Sequence, residues 1–525
     1  MLASATEVMI TGAGPAGLMM ACQLLSNHIR FRIIDKNLKT TDYSGALVIH
    51  AGTLEIFRQL GIEDDFLKHG RILKAINFSV NGQLKWRIDT SNYGSHLSEY
   101  PFVLLLEQSK TEALLSGYLE NHRRHVERGV ELKDFTEFSD HIENIVLDSN
   151  GKEETVISDY LIAADGGQSF VREKLEIPLI GKTHARSLFA TDCEADLNLP
   201  DNEALIAISR NATTGFFPLG DHLWRSEGAF RWHMGNGEID FNTIDGSFSG
   251  ITKVKTNIHN PRWFSTFHSH KRNAAYFNTN RCFLVGDAAH LYSPVGAQGM
   301  NHAIHDACNL AWKMSFIIKK LAKPCILETY ESERKQIAAK TSYVSDLLFS
   351  FLSTDRVLPK FGRISVLPFI IMIFKPVLRK PAIRQFLFRK ISGVGVAYGK
   401  NILNSKSERK RIKGPESGER LPYFILNYEG KTVNIKDFIS GSSFALLIFV
   451  VDKCPEFDAI LEKFRKQVTI TYLTRQAGTV ELFRQFVIKR TTYYLVRPDF
   501  YIASTGHTCE YLEKYLSGVL IPVNR

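Results

Sequence analysis

The sequence predicts an α/β protein. A Rossmann-like dinucleotide-binding domain is interrupted by an antiparallel β-sheet and followed by a helical segment and a small C-terminal α/β domain. Three observations carry this expectation. A short apolar strand, Val8 to Ile10, runs into Gly12-Ala13-Gly14-Pro15-Ala16-Gly17 and then an apolar helix. A second strand, turn and helix lie in Arg281 to Met314, with Gly286-Asp287 at the strand end and a glycine-rich loop before the helix. Between them, Thr191 to Thr266 loses the helical period and alternates, with turn clusters at Pro218-Leu219-Gly220-Asp221 and Gly235-Asn236-Gly237. The expected layout is 1–180 and 271–345 for the two parts of the nucleotide-binding domain, and 181–270 for the inserted sheet. A basic helical segment fills 346–413, and 414–525 forms the last domain.

Each glycine of the first turn has a distinct job. Gly12 makes the turn, Gly14 lets the backbone approach a pyrophosphate, and Gly17 lets the helix pack on the strand. The strand Phe31 to Ile34 ends in Asp35, with Lys36 beside it. That acid lies about twenty residues past the glycines, where a partner for a ribose hydroxyl is expected. The second motif adds an acid at a strand end, Asp287, and turns at Pro294, Gly296 and Gly299. The helix after Met300-Asn301 offers unpaired N–H groups and a partial positive charge at its N-terminus, suited to an anionic ring or phosphate. Two further strand-to-helix junctions carry Gln108 and Asp165-Gly166.

Composition bounds the partners. Of the 525 residues, 44% are hydrophobic and 23% charged, as in a soluble globular protein. The seven cysteines form no C-x-x-C and no metal-ligand spacing, so a reducing compartment is expected and a disulfide framework is not. Met1 to Thr6 lacks a basic region, so no secretory leader is expected and a cytoplasmic location is. The net charge of +10 is uneven. Arg356 to Lys413 holds 15 Lys+Arg and one acid, a net of +14, which leaves −4 for the rest. No nucleic-acid motif accompanies that segment, so nucleic acid is not an expected partner. Ile364 to Phe374 is apolar and flanked by Lys375, Arg379, Lys380, Arg384, Arg389 and Lys390. It is too short to span a bilayer, so its readings are helices packed on the body or on a dimer mate, or a peripheral membrane contact. His268 and His270 lack a third ligand at suitable spacing, and no metal is expected.

The stretch Gly286 to His290 (GDAAH), then Ser293 to Asn301 (SPVGAQGMN), then Asn309 to Met314 (NLAWKM) resembles the second flavin motif of single-component FAD-dependent aromatic hydroxylases, the para-hydroxybenzoate and phenol hydroxylase kind. Gly12 to Gly17, the Asp165-Gly166 motif and Asp287 match that family's three motifs in order. The resemblance implies FAD as cofactor and NADPH or NADH as transient co-substrate. It also implies O2 and a small phenolic or other aromatic substrate. It assigns FAD contacts to Gly12, Gly14, Pro15, Ala16, Gly17, Asp35, Lys36, Gln108, Asp165, Gly166, Gly286, Asp287, Pro294, Gly299, Met300 and Asn301. Pro294 and Gly296 would lie beside the reacting ring. A base for the substrate's phenol is not identified by motif; His233, Tyr276 and Asp221 are the candidates.

The last domain, with Arg497-Pro498-Asp499, resembles the thioredoxin-like domain of phenol-hydroxylase-type enzymes, without thiol chemistry because the C-x-x-C is absent. Departures stand at Gly45, His50 and Gly52, a region where relatives carry arginines, at Ala297, a frequent glycine, and at Phe500, usually glycine. In the family the inserted sheet walls the substrate pocket, and Phe216, Phe217, Trp224, Phe230 and Trp232 are read as core first and as lining second. Thr53 is expected to cap the helix ending at Leu60, and Lys406 to Pro422 to be a linker. Two other functions stay open. One is a membrane-associated quinone-pathway hydroxylase, raised by the basic segment. The other is a flavin-binding protein without hydroxylase activity, raised by Gly45, Gly52 and Phe500.

Overall fold

A computed structural model describes residues 4–40, 45–209, 212–230, 241, 254, 256–293, 296–353, 377, 380–404, 414–451 and 457–523. His233, Pro294, Trp232, Cys454 and the apolar stretch Ile364 to Phe374 lie outside them.

The chain is a mixed α/β protein, and its first sheet has seven strands. Their order is Glu127–Arg128, Phe31–Asp35, Ser4–Thr11, Glu153–Ala163, Ile142–Leu147 and Glu131–Glu137, with Cys282–Leu284 also pairing with Glu153–Ala163. The pairs around Ser4–Thr11 and Glu153–Ala163 that build the nucleotide side are parallel. Val8, Met9 and Ile10 are all fully buried, because a parallel strand is covered on both faces. The carboxyl ends of three strands lie side by side: the Gly12 N–H donates to Ile34 O (2.9 Å), Ala164 to Thr11 O (2.8 Å) and Val285 to Ala163 O (3.0 Å). All three motifs therefore start at one edge, where open α/β sheets bind ligands.

The second sheet has eight strands, in the order His290–Leu291, Ile258–Ala274, Leu179–Ala195, Leu223–Phe230, Ala212–Gly220, Glu203–Ile208, Ala75–Val80 and Gln83–Asp89. Its last two strands come from 75–89, outside the expected 181–270, because Ala75–Val80 pairs in parallel with Glu203–Ile208 far along the chain. On one face Phe189, Cys193, Phe216 and Trp224 form a core with Phe264, so Phe216 and Trp224 are core residues. Phe217 and Leu219 face the other way, against Leu47, Val48, Leu73 and Leu105.

The C-terminal residues build a four-stranded sheet ordered Val468–Thr474, Phe444–Val450, Thr492–Val496, Ile502–Gly506. The first pair is parallel and the others antiparallel. It shares a core with the long helix Gly299–Ile318: the Trp312 and Phe316 rings meet Phe444 edge-on, with centroids 5.5 and 5.7 Å apart.

Two local expectations are corrected. The helix ending at Leu60 begins at Ala51 with His50 at its cap position, and Thr53 donates instead to Asn301 Oδ1 (2.8 Å). Residues 414–422 are not a solvated linker throughout. Arg420 is buried, ion-paired with Glu55 at 2.9 Å and stacked over Phe500 at 5.0 Å. That partner is 365 positions away, beyond the reach of local composition.

Candidate functional site

The first glycine turn is built for close approach. Gly12 has φ +95°, and a side chain there would strike Ala164 O at 2.2 Å. A Cβ on Gly17 would meet Gly12 O at 1.9 Å, which is why the helix can sit so near the strand. Gly14 differs: nothing lies within 4 Å of a Cβ there, and no side chain caps the helix Pro15–Ser26. Its first N–H groups are left for an anion. Asp35 holds this turn, with Oδ2 accepting from the Ala13 N–H (2.8 Å), Oδ1 from Asn37 (2.8 Å), and Arg128 3.5 Å away.

The other motifs converge on it. Gly286 has φ +59°, and a Cβ there would lie 3.1 Å from the Ala16 methyl and 3.0 Å from Ala303, so the second motif touches the first helix. Asp287 is exposed at the strand end, and desolvation by the surrounding protein pushes its carboxyl above the ordinary range against the pull of His290. Asp165 accepts from the Val171 N–H (3.2 Å), while its Oδ1 is buried without a hydrogen bond, and burial raises this acid too. Gly166 follows at φ +82° with open space around it.

The loop before the long helix is tied from behind. The Asn301 side chain is fully used: Oδ1 accepts from His50 N–H (2.9 Å) and Thr53, and Nδ2 donates to Val48 O (2.9 Å) and Ala297 O (3.0 Å). Asn301 therefore shapes the loop and offers no side-chain atom to a ligand. Gln108 is similarly engaged, accepting from the Ala46 N–H (3.0 Å) and donating to Glu112 (2.9 Å). Gly45 sits against it, since a Cβ there would lie 3.2 Å from Gln108 Oε1, and Gly52 is pressed on Ser392 and Gly393. His50 is not an exposed loop residue: it is buried beside Gln298 (3.2 Å) and Gly296 O (3.4 Å), and burial lowers its pKa to about 4. Ala297 has φ +50°, a conformation glycine adopts more easily. Met300 is buried, and the Gly299–Ile318 helix has no side-chain cap.

Behind Gly286 lies a cluster that the sequence did not reveal. Asp306 is fully buried and accepts from the Gly286 N–H (3.1 Å), from His290 Nε2 (2.5 Å) and from Arg334 Nε (2.5 Å). Burial pushes this acid up, but His290 and Arg334 outweigh it and hold it below the carboxylate range. The only local hint was His290 at the end of GDAAH; Arg334 lies 28 positions from Asp306.

Of the proposed bases, Tyr276 is a surface side chain, 61% exposed, with Lys335 5.4 Å from its ring centroid. Asp221 is exposed in a turn at φ +50°. Lys36 is exposed beside Asp35. Among the described residues no group of three His, Cys, Asp or Glu is placed to hold a metal ion. No described helix is long and apolar enough to cross a membrane.

The residues present fit a flavin dinucleotide. An uncapped helix N-terminus faces open space at Gly14, a second lies at Gly299, and the acids Asp165 and Asp287 stand at strand ends. Comparison with known proteins agrees. Residues 5–344 match the family model described as FAD binding domain. The chain is 33% identical over 340 residues to 6-methylpretetramide 4-monooxygenase of Streptomyces rimosus, covering 64% of this chain and 60% of that relative. It is 27% identical over 511 residues, 95% of each chain, to 12-dehydrotetracycline 5-monooxygenase/anhydrotetracycline 6-monooxygenase of Streptomyces rimosus subsp. rimosus. A crystal structure of aklavinone-11 hydroxylase with FAD and aklavinone superposes with TM-score 0.80 at 19% identity, over 98% of this chain and 99% of that one.

Proposed function

The chain belongs to the FAD-binding domain family, and we propose from this that it works as a monooxygenase: an FAD-dependent oxidoreductase that takes electrons from NADPH or NADH and places one oxygen atom of O2 on a phenolic or other aromatic substrate. The observation that carries the reading is the convergence of Gly12–Gly17, Asp165-Gly166 and Gly286-Asp287 at one edge of the parallel strands. When bound, the flavin carries the two electrons and activates O2. The chain supplies position and electrostatics. The N–H groups after Gly14 bind the pyrophosphate, Asp35 and Asp287 accept from sugar and ribityl hydroxyls, and the backbone at Gly299 and Met300 favours negative charge on the ring. Gly296 would border the substrate side. Gln108 and Asn301 act by fixing 45–50 and the loop.

In this reading the eight-stranded sheet walls the substrate pocket, and the C-terminal domain is thioredoxin-like. Its strand order and its one parallel pair support that assignment, and the missing C-x-x-C makes it a structural domain. A peripheral membrane contact and a homodimer complete the proposal. The helix Pro381–Ile391 supports the first, exposing Phe386 and Ile391 among Lys380, Arg384, Arg389 and Lys390. Liposome flotation and sedimentation test these two.

The deciding experiment is the absorbance spectrum of the purified protein, then NADPH and NADH consumption with a phenol panel. A yellow protein with bands near ~370 and ~450 nm, oxidising NADPH or NADH faster with a phenol and releasing an oxygenated product, is expected. A protein that takes up no FAD refutes the reading. One that takes it up and ignores every aromatic compound is a flavin-binding protein of another function.

A further inference from the structure

The monooxygenase reading, on which this inference rests, needs a group that accepts the substrate's phenolic proton, and neither Tyr276 nor Asp221 is enclosed enough to do so. We propose that Glu227, on the inserted sheet, is that acceptor.

The sheet gives Glu227 its place. Side chains alternate along Leu223–Phe230, so Arg225 and Glu227 share one face, while Trp224 and Ser226 point to the opposite, fully buried core. Phe217 shares the Glu227 face, being paired with Arg225, and packs with Leu219 against Leu47 and Val48. Val48 O is held by Asn301, and His50 abuts Gly296, so this face looks toward the loop before the long helix. The residues directly paired with Glu227 are Ala190 and Gly215. Both are small, and the Phe217 ring lies over Gly215, 2.6 Å from where a Cβ there would stand, so an aromatic wall borders the carboxylate on that side.

Glu227 is also left without a partner. The cation nearest in sequence, Arg225, is committed to Asp192 through both Nε and NH2 (the latter 3.0 Å), and Trp263 Nε1 fills Asp192 Oδ2 at 2.8 Å. Among the described residues the Glu227 carboxylate makes no hydrogen bond. The residue is half-buried, so its unpaired carboxylate oxygens stay available to a ligand on this face. Burial pushes its pKa up, Arg225 pulls it back and Asp192 adds to the rise. Further along the face stand Lys271 and, on the helix Cys325–Ser353, Tyr343, paired with each other. A raised acid is the stronger base for a phenol. In the step, the phenol O–H bond breaks and the proton passes to a Glu227 oxygen. The electron pair stays on the phenolate oxygen and enriches the ring carbon to be oxygenated, and the proton leaves to solvent after product release.

The test uses the FAD-loaded full chain and the variants Glu227→Gln and Glu227→Asp, with anhydrotetracycline, 1-naphthol and 2,4-dichlorophenol as probes. Flavin absorbance follows probe binding, and kcat and KM are measured between pH 6 and 10. Glu227→Gln is expected to take up FAD normally and to keep KM within a few fold, while kcat falls about 10²–10⁴-fold near neutrality. Its kcat should recover as the pH passes the probe's own phenol pKa, because the proton is then already gone. Glu227→Asp should fall between. A Glu227→Gln enzyme with wild-type kcat and pH profile overturns the role of Glu227 and leaves the monooxygenase reading standing. Loss of FAD binding in both variants also overturns it, since a residue that meets only substrate leaves the empty holoenzyme intact. A wild type indifferent to all three probes overturns the underlying reading instead.

Discussion

Two ion clusters hang on the same pair of helices and do different work. Asp306 on Gly299–Ile318 and Arg334 on Cys325–Ser353 turn toward Gly286 and His290, behind the proposed cofactor turn. One residue before Arg334, Glu333 turns the other way. It accepts from Arg497 NH1 (2.6 Å) and NH2 (2.9 Å), Lys313 (2.8 Å), Asn309 (2.8 Å) and Asn404 (3.0 Å), and Arg497 is also paired with Asp499 at 2.6 Å. The first cluster fixes one backbone turn. The second bolts the C-terminal domain to the helices whose far ends frame the site. Both hold a carboxylate below its ordinary range against burial, but the second also keeps a lysine, Lys313, whose pKa burial lowers to about 8. Neighbouring positions on one helix thus divide binding geometry from domain docking, and the two are separable by mutation.

The largest effect is expected from Glu333→Ala, which leaves Arg497 and Lys313 buried without their shared acceptor. Breaking a buried pair from one side costs about 3–5 kcal/mol. Thermal or denaturant unfolding should register that loss, while the protein that remains folded keeps its FAD. If FAD affinity falls in proportion to stability, the two clusters are one unit and the comparison fails.

The flavin side adds a group kept neutral, and it sets a pH test. His50 has its pKa lowered by burial from 6.5 to about 4. Between those values the unfolded chain binds a proton that the folded one refuses, so stability rises with pH. It is complete above about pH 6.5 and is lost progressively down to pH 4. At about 1.4 kcal/mol per unit the shift is worth at most about 3.5 kcal/mol. Unfolding titrations of the wild type should steepen across this window relative to His50→Gln; parallel curves would show that His50 is not held neutral.

Asp306→Asn comes next. It keeps the shape and removes the charge that holds Gly286, His290 and Arg334, a loss of about 1.5–3 kcal/mol for hydrogen bonds to a charged group. Here FAD affinity should weaken by tenfold or more, measured by equilibrium dialysis against the apoprotein at a temperature where both forms are folded. An Asn variant that binds FAD like the wild type, with the same flavin spectrum, would reduce the cluster to a packing role.

These contrasts also mark what the sequence could reveal. The glycine turns were legible because their chemistry is local: strand, turn and helix lie within a few residues at Gly12–Gly17 and Gly286–Asn301. Phe216 and Trp224 were legible as core for the same reason, through alternation. What escaped is non-local. Glu333 and Arg497 are 164 positions apart, and Arg420 reads as linker until Glu55 is beside it. The strands of 75–89 join the sheet only through Glu203–Ile208. Asn301 and Gln108 stood in the right motifs, but their side chains are spent on partners within the protein. Arg497-Pro498-Asp499 was visible as a motif, yet its task as the bolt of the C-terminal domain depends on Glu333.

The smallest effect tests a residue of that bolt region held in a left-handed conformation. Phe500 has φ +70° and is 3% exposed, with Arg420 over its ring at 5.0 Å. A left-handed conformation costs a non-glycine residue roughly 1–2 kcal/mol. Truncating a buried phenylalanine costs about 3–5 kcal/mol. Phe500→Ala should suffer the full truncation and keep the strain. Phe500→Gly should suffer the same truncation but shed the strain, so glycine should be the more stable of the two by about 1 kcal/mol. At an ordinary backbone position the order is reversed, because alanine restricts the unfolded chain and gains about 0.4–1 kcal/mol. Only the difference between the two variants matters, since both lose the same ring and the same contact with Arg420. Denaturant midpoints with glycine above alanine would place the strain at Phe500, where packing against Arg420 outweighs it. Alanine above glycine would mean that the backbone there relaxes once the ring is gone.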